Sequence, residues 1–132
     1  MKKIRVLVTN AENIVREGIS AILSLQPDMD VVGQAGDGIR AVELAEKLQP
    51  DVILLDLAMP RRDGLATIPI LIKQVPPSRI LMLSSFADPD LASAAIKAGA
   101  LGYLLIDATR DQLLQTIRDV ARRQTYIQPP VA

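Results

Sequence analysis

The sequence predicts a doubly wound α/β domain, with five parallel strands in one sheet and helices on both faces. Three observations predict it. Short aliphatic runs alternate with stretches of helical apolar spacing along the chain. The runs are too apolar to leave one face in water, as expected of strands in the middle of a parallel sheet. Polar and proline-containing segments separate them at nearly every junction.

The elements follow in order. Ile4–Val8 reads as the first strand and Thr9–Asn13 as a polar loop. Ile14, Val15, Ile19, Ile22, Leu23 and Leu25 then fall at helical spacing, with Asn13 as N-cap, until Pro27-Asp28 ends the helix. Val31-Val32 makes a short second strand, and Gly33–Gly38 turns into a helix with Ile39, Val42, Ala45 and Leu48 on one face. Gln49-Pro50 leads into the third strand, Asp51–Asp56, after which Arg61–Gly64 is a loop.

Leu65–Val75 is helical, but a proline inside a helix costs about 3 kcal/mol, so Pro69 predicts a late start, a kink or a shortened helix. Pro76-Pro77 closes it, and Ile80–Leu83 is the fourth strand, ending at Ser84-Ser85. Asp88-Pro89-Asp90 supplies a cap, a first-position proline and a first-turn acid, and Gly99 stops that helix. Tyr103–Ile106 is the fifth strand. Thr109–Gln112 forms a capping box opening a last helix whose apolar face is Leu113, Leu114, Ile117, Val120 and Ala121. Gln128–Ala132 reads as the start of a linker. One domain over 2–124, followed by linker from 125 to 132, fits a chain of 132 residues with a single core.

Composition narrows the chemistry. Lys plus Arg and Asp plus Glu are both 15, so the net charge is zero and gives no support to non-specific nucleic-acid binding. With no Cys and no His, disulfides, thiolate nucleophiles, imidazole bases and the usual zinc ligands are excluded. The amino-terminal apolar run is shorter than a signal peptide's core, and no stretch reaches membrane-spanning length. A cytoplasmic chain without membrane contact is expected.

The candidate site is the carboxyl edge of the predicted sheet, where ligands bind in open α/β folds. Asp56 ends the aliphatic run DVILLD, and an ionised carboxylate is costly to bury unpaired, so it belongs at the strand's mouth. The loop at Asn10–Glu12, the strand end at Ser84 and the strand end near Ile106 converge there. Taken alone, Asp56 also fits a loop or cap residue, Ser84 a strand-end hydroxyl and Tyr103 ordinary packing. Arg61 and Arg62 fit either an anion site or a solvated loop.

The segments VLVTNAENIVREGI, VVGQAGDGIRAVELAEKLQPDVILLDLAMPRRDG, ILMLSSF and IKAGALGYLLIDAT together resemble the receiver domain of bacterial response regulators. The subfamily is the NarL/FixJ type, which carries a LuxR-type helix-turn-helix after the linker. The resemblance implies the flavodoxin-like (βα)5 fold. It places Asp56 at the phosphoacceptor position, Ser84 at the hydroxyl that follows the phosphoryl group, Tyr103 at the aromatic switch, and Pro60 and Gly64 in the loop after the acceptor. Where the family has a pair of Mg²⁺-holding acids, this chain has Asn10 and Ala11; where the family has a lysine, it has Ile106.

These differences imply an atypical receiver of a DNA-binding response regulator, controlling transcription through protein contacts and homodimerisation. One alternative is a working phosphoacceptor, with a sensor histidine kinase phosphorylating Asp56. Another is a small-molecule sensor using the vacated acidic pocket. No enzymatic activity and no cofactor are expected, with Mg²⁺ only if the site retains residual activity. Asp56, Asn10 and Glu12 are the candidate ligands in that case, and no metal is expected on them. DNA would be reached only through a downstream helix-turn-helix.

Overall fold

A computed structural model describes residues 2–123 and 126–127. Eleven elements alternate in order: β1 (Ile4–Thr9), α1 (Asn13–Ser24), β2 (Met29–Ala35), α2 (Gly38–Leu48), β3 (Val52–Asp56), α3 (Gly64–Gln74), β4 (Arg79–Ser84), α4 (Pro89–Ala98), β5 (Gly102–Leu105), α5 (Arg110–Ala121) and β6 (Tyr126–Ile127). All strand pairs are parallel, in the order β2-β1-β3-β4-β5-β6. The order reverses between β1 and β3, and that switch point places the β1 and β3 carboxyl ends side by side.

Side-chain alternation along the strands divides the core in two. Leu7, Ile53, Leu55, Ile80, Met82 and Tyr103 face α2, α3 and α4, meeting Val42, Ala45, Ile68, Leu71 and Ala95. Val6, Val8, Val52, Leu54, Leu81, Leu83 and Leu104 face α1 and α5, meeting Ile19, Leu23, Leu113, Ile117 and Val120. Each fully buried aliphatic side chain contributes about 1.5–3 kcal/mol through removal from water. A partly buried pair fastens α5 to the turn before β2, Arg118 Nε and Nη2 donating to Asp28 at 2.7 and 3.0 Å. No helix among the described residues is long and apolar enough to cross a membrane.

Several expectations change. Asn13 is the first residue of α1 rather than its cap; Glu12 occupies the cap position and makes no side-chain capping bond. The second strand is longer than Val31-Val32, because Gly33, Gln34 and Ala35 continue to pair with Leu7, Val8 and Thr9 across a bulge at Val6/Leu7. Gly33 is the close approach that misled the reading as a turn: a Cβ there would meet the Leu48 side chain at 2.9 Å. Helix α3 starts early and runs through Pro69 without shortening. Pro69 is exposed, so its ring lies on the solvent side of the helix and displaces no core side chain. The fifth strand stops at Leu105, one residue before Ile106.

The residues assigned to linker include a sixth strand, with Tyr126 opposite Gly102 and Ile127 opposite Tyr103. An exposed β5 edge offers unpaired backbone groups, and the chain's own return satisfies some of them. The proline-rich 128–132 lies outside the described residues.

Candidate functional site

Asp56 ends β3 at the carboxyl edge, partly exposed, as its position in the aliphatic run requires. Its carboxyl is held above the usual carboxylate value, mainly by burial, and the Glu12 charge adds to the rise. The backbone amides of Ala58, Ala11 and Leu57 face it and oppose the shift. Asn10 Oδ1 and Ser84 Oγ are each engaged with an amide of their own loop.

The β1–α1 loop is closed on itself. Asn10 is buried, and its Oδ1 accepts the Glu12 amide at 2.9 Å. Arg16, unremarked in the sequence reading, pins the same loop by donating to the Asn10 carbonyl at 2.8 Å and to Asn13 Oδ1 at 2.7 Å. Ala11 offers only backbone. This donor set does not suit Mg²⁺, which takes several oxygen ligands in octahedral geometry with carboxylates prominent among them. Among the described residues no group of three or more acids, His or Cys is placed to hold a metal.

The β3–α3 loop is fixed from two sides. Gly64 opens α3 so close to β3 that an added Cβ would run into the Asp56 carbonyl oxygen, and its amide donates to the Leu57 carbonyl at 2.8 Å. Arg61, at φ 63°, donates from Nη2 to Asp37 Oδ2 at 2.8 Å. Asp37 also caps α2, its Oδ1 accepting the Arg40 amide at 2.8 Å. That amide, with Arg61 beside it, holds the Asp37 carboxyl below its usual value. Arg61 is thus engaged with α2, and the Arg62 carbonyl accepts the Gly38 amide at 3.2 Å.

The β4–α4 loop closes on Phe86. Ser84, buried, accepts the Phe86 amide on Oγ at 3.0 Å. Tyr103, also buried, donates its hydroxyl to the Phe86 carbonyl at 3.0 Å. The loop after β5 joins it, the Ile106 amide donating to the Ser84 carbonyl at 2.8 Å. The Ile106 side chain is exposed and forms one wall of a hollow of about 130 Å³ with Ile19, Leu83 and Leu113, on the α1/α5 side. The structure thus brings Asp56, Ala11 and Glu12 together. It places Ser84 and Tyr103 on Phe86, which the sequence reading left unassigned. A single aromatic in the otherwise polar SSFADPD stretch was the available signal.

Comparison with known proteins agrees with this architecture. Residues 6–118 match the family model described as "Response regulator receiver domain". The chain is 38% identical over 129 residues to the transcriptional regulatory protein DegU of Brevibacillus brevis, covering 98% of this chain and 55% of that protein. It is likewise 38% identical to the transcriptional regulatory protein LiaR of Bacillus subtilis, covering 98% of this chain and 61% of that one. The chain therefore spans little more than half the length of these relatives. The signal receiver domain of the response regulator NarL from Mycobacterium tuberculosis superposes with a TM-score of 0.89 at 37% identity, covering 92% of this chain and 98% of that one.

Proposed function

The chain belongs to the response regulator receiver domain family, and from that premise we propose that it is an atypical receiver, working by protein contact rather than by taking a phosphoryl group on Asp56. It would serve as the regulatory part of a NarL-type transcription regulator, self-associating and reaching DNA through a downstream helix-turn-helix. The observation that carries this reading is the company of Asp56. Transfer to a carboxylate depends on neutralising charge on the phosphoryl oxygens. Here Asn10 Oδ1 is occupied by the Glu12 amide, Ala11 has no side-chain ligand atom, and Ile106 cannot act as a point charge.

Incubation with a small phosphodonor and Mg²⁺, followed by intact mass, tests it. The expected result is an unmodified chain. Addition of one phosphoryl group, lost in Asp56→Asn, would replace this reading with that of a working phosphoacceptor served by a sensor histidine kinase. One observation favours that second reading: the amides of Ala58, Ala11 and Leu57 still converge on the carboxylate.

A further inference from the structure

The hollow beside Ile106 is walled almost wholly by aliphatic side chains, among them Ile19 and Ile22 of α1, Leu83 of β4 and Leu113 of α5. Its volume is about 130 Å³. An apolar cavity of about 150 Å³ stays dry and accepts a benzene-sized ring, so this space suits one aromatic ring and little more. Water has few partners there. Among the described residues the polar side chains of the wall are those of Thr109 and Arg110, and the Thr109 hydroxyl already accepts the Gln112 amide at 3.1 Å.

Arg110 is the one charged residue of that wall, and its side chain is 66% exposed, which puts it where the hollow meets water. Among the described residues it pairs only with its neighbour Asp111, Nε to Oδ1 at 3.8 Å, and the Asp111 side chain is 88% exposed. So long and exposed a pair is worth little, and the guanidinium is available to a ligand. Asp107, in the same loop, is exposed and is not part of the wall.

We propose that the hollow is a binding site for a small aromatic carboxylate, its ring lying among Ile19, Ile22, Ile106 and Leu113 and its carboxylate on Arg110. The planar guanidinium would donate two parallel bonds to the carboxylate, while the ring takes the apolar wall that Ile106 exposes out of water. The charge decides the class of ligand. A ring of the same size bearing an amine would meet Arg110 with like charge, and a neutral one would leave it unused. None of Asn10, Ala11, Glu12 and Asp56 lines the hollow, so the inference goes beyond the reading of the chain as an interaction module and does not depend on it.

Phenylacetate, its neutral amide and phenethylamine, three probes with one ring and different end groups, test it. They are titrated into the isotope-labelled chain to millimolar concentration and followed by amide and methyl shifts. The carboxylate is expected to bind with shifts centred on Ile22, Ile106, Arg110 and Leu113, the amide to bind more weakly and the amine not at all. Arg110→Gln should weaken phenylacetate about tenfold, the scale of one charge-assisted hydrogen bond, and leave the amide unchanged. Ala108→Leu, which fills the hollow from its own wall, should abolish binding of every probe. Arg110→Gln changes an exposed side chain and decides the question should the filled variant fail to fold. Absence of shifts with phenylacetate, equal binding of the three probes, shifts gathered away from the hollow, or an affinity unchanged in Arg110→Gln would overturn the proposal.

Discussion

Tyr103 and Phe86 are joined by a hydrogen bond of 3.0 Å that runs from the core to the edge of the site. The ring of Tyr103 is fully buried among the side chains facing α2, α3 and α4, and only its hydroxyl reaches the β4–α4 loop. Ser84 holds the other polar atom of Phe86. The loop's conformation is therefore set by packing and two internal bonds, neither of which includes Asp56.

Tyr103→Phe removes the bond and keeps the ring. The expected loss is about 1 kcal/mol, the usual net worth of one hydrogen bond, because the released Phe86 carbonyl is in an exposed loop where water can bond it. Tyr103→Ala should cost about 3–5 kcal/mol through the cavity it leaves. Urea unfolding reads both. Amide exchange at Phe86 should rise in Tyr103→Phe; equal protection in wild type and variant would show that the bond does not order the loop.

Two glycines should respond in opposite directions. At Gly64 a Cβ would overlap the Asp56 carbonyl and approach Leu57 Cα, both backbone, so Gly64→Ala must shift β3 or α3 and should cost about 1–3 kcal/mol. Gly18 is inside α1 with nothing within 4 Å of an added Cβ. Gly18→Ala should stabilise the chain by about 0.5–1 kcal/mol through helix propensity. Thermal unfolding of the pair checks the sign of each.

The sheet was legible because its strands are aliphatic on both faces, and the Asp88 and Thr109 caps because their spacing reflects local bonding. β2 was underestimated because its last residues depend on pairing with β1, which no local pattern carries. β6 was missed for the same reason, its partner β5 being separated by all of α5. Asp56 was legible as a lone carboxylate ending an aliphatic run. The bonds of Asn10 and Ser84 were not, because a short polar side chain in a loop bonds whichever amide the turn presents. Those of Arg16 were not, because the Asn10 carbonyl it meets is brought to α1 only by the fold of the intervening loop. Pro69 misled because its cost was judged without knowing that its face of α3 meets water.

Asp56 should make the chain less stable as pH rises. Its folded-state proton affinity is above that of the unfolded chain, mainly because of burial, so the folded state holds more protons between the two values. Stability contributed by the protonated group is present below the unfolded value, about 3.9, and is lost as pH rises through the higher folded value. Asp56→Asn, which cannot ionise, should therefore be more stable than wild type at neutral pH, with the difference shrinking in acid. Urea midpoints across the acidic range measure it; a wild type that gains on the variant as pH rises would contradict the burial argument.

Restoring the missing groups should restore the missing chemistry. Asn10→Asp is nearly isosteric and keeps an oxygen for the Glu12 amide, Ala11→Asp adds a carboxylate beside Asp56, and Ile106→Lys changes an exposed side chain. Without a cation the triple variant sets like charges near a half-buried carboxylate, so it should be less stable than wild type. Added Mg²⁺ should raise its unfolding temperature by mass action and leave that of wild type unchanged. With a small phosphodonor present, the triple variant should gain one phosphoryl group by intact mass, and a further Asp56→Asn change should abolish the gain. If wild type takes the group as fast as the triple variant, Asn10, Ala11 and Ile106 do not disable the site, and the proposal of an atypical receiver fails with them.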